Sequence, residues 1–175
     1  MTEIKKTDLQ QIKLLAMDVD GVLTDGNCLI GPDGMELKSF SLLDGHGIKM
    51  WHRAGLKTAI ISGRESAATT QRAEEMEINF VYQPFPQKLN CFDRLLADSG
   101  LEPKNIAYIG DDVLDIPLIR RAGFAIAVAN AVDEVKHYAH YITSRPGGSG
   151  AVREVIEYIL KNTGKWTDLM ERYLV

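Results

Sequence analysis

Cysteine is scarce. Cys28 and Cys91 are the only two in 175 residues, too few and too isolated for a disulfide framework or a zinc site. Free thiols in a chain of this size suit a reducing compartment, and a cytoplasmic location is expected. Long apolar runs are absent as well. No stretch approaches the roughly 18 residues that a membrane span requires, and Met1 to Gln11 is polar, without the apolar core of a signal peptide. Positive charge is not in excess: the net charge of −4 provides no field for nucleic acid. An anionic ligand must then be met by individual Lys and Arg side chains. Internal repeats, low-complexity tracts and linkers are missing too, so residues 1–175 read as one domain.

What is present is alternation. Apolar runs and helical patterns succeed each other along the whole chain, as in a parallel α/β sheet. The expected strands are Ile12 to Met17, Lys57 to Ile61, Phe80 to Tyr82, Ile106 to Ile109, Ala125 to Val128 and Tyr141-Ile142. After the first, Cys28-Leu29-Ile30 and Met35 to Ser41 flank Gly31-Pro32-Asp33-Gly34 and read as a β-hairpin. Expected helices run to Ala54 from a cap at Asp44, from Glu65 to Met76, and from Leu89 to Asp98 after breaks at Pro84 and Pro86. Further helices are expected over Val113 to Arg121, Ala131 to Tyr138 and Ala151 to Asn162, with Trp51 in the core. The tail, residues 163–175, is apolar enough to dock on its own or a neighbouring subunit.

The chemistry is concentrated at strand ends. Asp18-Val19-Asp20-Gly21 closes the first apolar run, and Gly110-Asp111-Asp112-Val113-Leu114-Asp115 closes a later one. In an open α/β sheet the carboxyl ends of the strands are where ligands bind. Acids so close together need a cation, and a hard-oxygen set of this kind suits Mg²⁺. Ser62-Gly63-Arg64 and Lys88 complete an ordered series of four motifs. Each meets a need of phosphoryl transfer: a carboxylate as nucleophile, a second as general acid and base, and a hydroxyl and an ammonium on the equatorial oxygens.

Asp18-Val-Asp20-Gly-Val-Leu-Thr24-Asp, Ser62-Gly-Arg64, Lys88 and Gly110-Asp111-Asp112-Val-Leu-Asp115 resemble the haloacid dehalogenase superfamily of phosphatases over about residues 12–150. The resemblance implies a Rossmann-like, doubly wound parallel sheet and aspartyl-phosphate chemistry with Mg²⁺. It makes Asp18 the nucleophile and Asp20 the general acid/base, with Ser62 and Lys88 on the phosphate. Asp18, the Asp20 carbonyl and Asp111 become metal ligands, and Asp115 lies in or near that shell. The short spacing between motifs leaves no room for a cap domain, so the hairpin over residues 27–41 is the expected device for assembling subunits and covering each site with a neighbour.

The finer pattern, including Leu43-Asp44-Gly45-His46-Gly47-Ile48 and Gly147-Gly148-Ser149-Gly150-Ala151-Val152-Arg153-Glu154, is similar to the capless, tetrameric phosphatase family that acts on 3-deoxy-D-manno-octulosonate (KDO) 8-phosphate in lipopolysaccharide synthesis. That resemblance implies a phosphorylated sugar-acid substrate met by Ser41, Leu42, Leu43, Asp44, Gly45, Lys49, Arg64 and Arg72, in a homotetramer. Arg64 or Arg72 is the natural bidentate partner of the sugar carboxylate. Members often carry Asn-Val-Arg-Asp-Gly where this chain has Ser41-Leu42-Leu43-Asp44-Gly45, one anion contact fewer.

Plainer readings stand beside these. Asp20 is also a turn residue, Asp112 and Asp115 first-turn acids, Arg72 a helix partner of Glu75, and His46 a solvated loop residue. The Gly147–Gly150 loop is either a phosphate seat before a helix or a hinge. The competing functions are a nonulosonate 9-phosphate phosphatase, a phospho-accepting signalling domain, and an idle scaffold. Asp20, two positions past the nucleophile, favours an enzyme over the signalling domain, and the intact set Asp18, Asp20, Ser62, Lys88 and Asp111 weighs against the scaffold.

Overall fold

The structure, a computed structural model, describes residues 9–85 and 87–174. The expectations for Met1 to Asp8, and those for Pro86 and Val175, lie outside the described residues. Eight strands are formed: β1 (Leu14–Met17), β2 (Leu29–Ile30), β3 (Glu36–Leu37), β4 (Lys57–Ile61), β5 (Phe80–Tyr82), β6 (Ile106–Gly110), β7 (Phe124–Ala127) and β8 (Tyr141–Ile142). Six of them make one sheet in the order β5-β4-β1-β6-β7-β8, every neighbouring pair parallel. β1, β6 and β7 are buried along their whole lengths. That is why they read as unbroken apolar runs instead of alternating ones: helices cover both faces of such a sheet.

The chain winds outward from β1 through β4 to β5, then returns to β6 on the other side of β1 and winds out to β8. The reversal between β1 and β6 is the topological switch point of a Rossmann-like fold. Two strands at the centre, supplied by distant parts of the sequence, therefore open their carboxyl ends into one crevice.

The helices are α1 (Leu42–Arg53), α2 (Ala67–Glu75), α3 (Lys88–Ser99), α4 (Ile116–Ile119), α5 (Asp133–Tyr138), α6 (Ala151–Asn162) and α7 (Trp166–Glu171). Trp51 on α1 is wholly enclosed, its indole N–H donating to the Lys57 carbonyl at 2.7 Å. The expected helix over Val113 to Arg121 is divided into a 3₁₀ turn, Val113–Asp115, and the short α4. The division follows from Asp115, whose carboxylate turns back to accept from the Asp111 and Asp112 backbone N–H groups. β2 and β3 form the expected hairpin, shorter than predicted, with Leu29 opposite Leu37 and Ile30 opposite Glu36. No cap domain is present among the described residues, and none of their helices is long and apolar enough to cross a membrane.

Asp44 departs from the sequence reading. Ser41, not Asp44, caps α1. The Asp44 side chain is 1% exposed and bonds the start of a distant helix, accepting from Gly150 N–H at 3.2 Å and Arg153 N–H at 2.7 Å. Those are amide groups that the first turn of α6 leaves without intrahelical partners. The anion seat proposed for the glycine loop is thus filled by a carboxylate of the chain itself. The loop is also anchored elsewhere: Gly148 N–H donates to Val22 O and Gly147 N–H to Asn130 Oδ1. The tail docks on its own chain, with the Lys161 ammonium 4.6 Å from the Trp166 ring and the Tyr173 hydroxyl bonded to Arg53 and His46.

Removing a cap whose two donors are then buried without partners costs about 1–3 kcal/mol. Asp44→Ala should lower unfolding stability by about that amount in urea titrations, whereas Asp44→Asn, which keeps one acceptor, should lose less.

Candidate active site

Asp18 follows β1 and Asp111 follows β6, side by side because Met17 is in register with Ile109. Ser62 follows β4, on the other flank of β1. Lys88 is the first residue of α3, delivered by the turn after β5. All four, with Asp20, Gly63, Arg64, Asp112 and Leu114, line one hollow of about 280 Å³. The two acidic strand ends meet closely. Gly21 has φ +92°, and a Cβ placed there would strike the Asp111 carboxylate, so no side chain is tolerated where the first loop passes the second acid.

A buried network underlies the hollow. Lys88 Nζ lies 2.7 Å from both Asp18 Oδ2 and Asp115 Oδ1. Asp18 Oδ1 accepts the Val19 N–H at 2.7 Å. Asp115, fully buried, also accepts the Tyr108 hydroxyl at 2.6 Å on Oδ1, while its Oδ2 takes the Asp111 and Asp112 N–H groups. Its oxygens are therefore engaged by four donors of the chain itself, which makes it a support for Lys88 as well as a neighbour of the other acids. Tyr108 escapes sequence reading because it sits inside an apolar strand. The one available signal is that a fully buried tyrosine needs a partner for its hydroxyl.

Asp18, Asp111 and Asp115 each bring a carboxylate oxygen within 4.8 Å of the others. Burial, then repulsion from Asp115, raises the Asp18 pKa well above the carboxylate range, against the pull of Lys88. Burial, then Asp18 and Asp115, pushes Asp111 up to about 7. Three carboxylates, when ionised, leave two negative charges beside one ammonium, and Asp111 Oδ1 is buried with no hydrogen-bond partner among the described residues. A divalent cation fits both deficits, and oxygen ligands of this kind suit Mg²⁺. Asp18 and Asp111 are side chains that could hold it.

Asp20, also on the wall of the hollow, is held from the hairpin side. Its Oδ1 is 2.7 Å from Lys38 Nζ on the far arm of the hairpin. The same arm supplies Glu36, which pairs with Arg64 and accepts from the Ser66 hydroxyl. Ser62 Oγ bonds the Arg64 backbone at 3.1 and 3.3 Å. Lys38 and Glu36 were not among the expected site residues. Their trace in the sequence is the alternation Glu36-Leu37-Lys38, charged, apolar, charged, which gives one side of an extended segment two polar groups.

The remaining expected substrate contacts do not reach this hollow within one chain. Leu42, Gly45, Lys49 and Arg72 line a second concavity with His46, Glu75 and Met76, and Leu43 lines a third. Ser41 caps α1, and Asp44 is consumed by α6. Arg72 pairs with Glu75 at 3.0 Å, as the plainer reading held.

An acid whose pKa is raised by folding holds its proton more tightly in the folded chain than in the unfolded one. Its contribution is complete below about pH 4 and is lost as pH rises through about 7. The metal-free protein should therefore melt at progressively lower temperature from pH 5.5 to 8.5. Added Mg²⁺ should raise the melting temperature more at pH 8.5 than at 5.5, where protons compete for the same oxygens. A Mg²⁺ shift that is larger at acid pH contradicts the site.

Comparison with known proteins gives a consistent result. Residues 77–156 match the model of the haloacid dehalogenase-like hydrolases. The chain is 40% identical over 159 residues to the 3-deoxy-D-manno-octulosonate 8-phosphate phosphatase KdsC of Salmonella typhi, covering 91% of this chain and 85% of that protein. It superposes with a TM-score of 0.93 and 39% identity on the crystal structure of 3-deoxy-D-manno-octulosonate 8-phosphate phosphatase from Moraxella catarrhalis in complex with magnesium, phosphate and KDO, over 96% of this chain and 97% of that one. The cobalt-bound form of the deoxy-D-mannose-octulosonate 8-phosphate phosphatase (YrbI) from Haemophilus influenzae gives a TM-score of 0.87 at 37% identity, over 90% of this chain and 92% of that one. A Rossmann-like sheet with its acids at the switch point, and identity near 40% across almost the whole chain, lead to one conclusion: this chain belongs to the haloacid dehalogenase-like hydrolases.

Proposed function

We propose that the chain is a Mg²⁺-dependent phosphomonoesterase that hydrolyses KDO 8-phosphate to KDO and inorganic phosphate through an aspartyl-phosphate. The observation that carries this reading is the meeting of Asp18, Asp111 and Lys88 at the switch point. The likeness to enzymes named for that substrate supports it.

In the first step an Asp18 carboxylate oxygen attacks phosphorus. The bond from phosphorus to the sugar oxygen breaks, and Asp20 protonates that oxygen as it leaves. In the second step Asp20 takes a proton from the water that attacks phosphorus, phosphate departs and Asp18 is regenerated. Lys88, held between Asp18 and Asp115, keeps the nucleophile oriented and offers its positive charge to the phosphoryl oxygens together with the Ser62 hydroxyl. Asp18, Asp111 and the Asp20 carbonyl would hold Mg²⁺, which would supply the positive charge that lets an anionic nucleophile approach an anionic phosphate.

The hairpin is assigned to assembly of a homotetramer. Leu29, Ile30, Met35 and Leu37 are 51–72% exposed on a hairpin whose two strands are too short to stand alone. A neighbouring copy that covers them brings its own surfaces near the hollow. In that arrangement the concavity holding Lys49 and Arg72 serves the sugar acid of another subunit, which accounts for its distance from Asp18 within one chain. The free thiols of Cys28 and Cys91 support a cytoplasmic location.

Phosphate release should be measured on KDO 8-phosphate, a nonulosonate 9-phosphate and simple hexose phosphates, with and without Mg²⁺. The eight-carbon substrate should lead. Asp18→Asn should lower turnover by roughly 10³-fold or more while the protein stays folded by circular dichroism; ordinary turnover removes Asp18 as nucleophile. In sedimentation, Leu29→Glu combined with Leu37→Glu should convert a tetramer into smaller species. An assembly that survives both changes refutes the hairpin's role.

A further inference from the structure

The hairpin's inner side carries two charged residues, two positions apart, and both are turned into the domain. Lys38 reaches Asp20 at 2.7 Å, Thr69 Oγ1 at 3.5 Å and Glu36 Oε1 at 3.5 Å. Its side chain is 0% exposed. Glu36 binds Arg64, which lines the hollow, and the Ser66 hydroxyl. Leu37 between them faces outward, 51% exposed.

Burying an ammonium is expensive, an effective several kcal/mol even after relaxation, and a methionine of similar length fills the same space without that cost. Stability alone does not explain a lysine here. What a lysine adds is a directed bond to one oxygen of Asp20. With Oδ1 engaged by Lys38, and no hydrogen bond from the described residues on Oδ2, the second oxygen is left to the hollow. Asp20 itself sits on the loop after β1, a residue whose carboxylate is otherwise free to rotate about its side-chain bonds.

We propose that Lys38 is a positioning residue for catalysis: it locks the Asp20 carboxylate so that Oδ2 is the oxygen that gives the proton to the departing sugar oxygen and takes one from water. The hairpin is then part of the catalytic apparatus of its own chain, beyond any part in assembly. The proposal rests on the reading of Asp20 as general acid, and the test separates the two.

Protonation matters for a poor leaving group such as a sugar alkoxide and little for a nitrophenolate. Moreover, kcat/KM reports only the steps up to departure of that group when departure is irreversible. Lys38→Met and Lys38→Arg should be compared with Asp20→Asn on KDO 8-phosphate and on 4-nitrophenyl phosphate, with circular dichroism and sedimentation as controls of fold and assembly. Lys38→Met should lower kcat/KM for the sugar phosphate by about 30-fold or more, a part of the roughly 10²–10⁴-fold that positioned proton transfer supplies, and for the aryl ester by less than about 3-fold. Lys38→Arg should recover most of the loss. If Lys38→Met does not fold, Lys38→Gln is read in the same way. An equal loss on both substrates, or none, beside a selective loss in Asp20→Asn, overturns the role of Lys38 alone. No selectivity in Asp20→Asn overturns the reading of Asp20 and this proposal with it.

Discussion

Repulsion among carboxylates at the ends of β1 and β6 is the constraint on which the rest of this structure depends. Asp18, Asp111 and Asp115 crowd into one crevice, and the fold answers with one ammonium, buried against two of them, one tyrosine hydroxyl and several backbone N–H groups. The answer is incomplete by design of the charges: an oxygen of Asp111 stays unpartnered. A site that is electrostatically uncomfortable when empty is one that gains from taking up a cation and then a phosphate. The stability given up at the switch point is carried by the apolar strands beneath it, which are enclosed from end to end.

Much of this was legible in the residues. The parallel sheet, the hairpin and the placing of Asp18, Ser62 and Asp111 at strand ends all follow from apolar runs terminated by polar residues, a signal local enough to read. The partners of those residues are not local. Asp44 looks like the cap of its own helix, and nothing near it in sequence announces that its carboxylate serves Gly150 and Arg153. Lys38 looks like a solvated strand residue until the hairpin folds back onto Asp20. Tyr108 is hidden in an apolar strand. In each case the deciding contact joins segments that only tertiary structure brings together, and local pattern carries no information about it.

The residues expected around the sugar illustrate a different limit. Leu42, Gly45, Lys49 and Arg72 do form a concavity, but a separate one in the same chain. A pattern of residue types identifies a group that acts together without saying whether one copy of the chain supplies all of it. Here the exposed apolar hairpin is the physical reason to consider more than one copy.

The central pairing of β1 with β6 has a kinetic consequence. Asp18 and Asp111 are separated by more than half of the chain, and the strands that carry them become neighbours only after β4 and β5 have been laid down and the chain has reversed. Contacts of such long range form late and slowly, because the loop they close must first surrender its freedom. During synthesis the amino-terminal half emerges with one acidic strand end and no second. The acids are thus kept apart until the chain is long enough to surround them, and a cation site that needs both ends is complete only once β6 has been added beside β1.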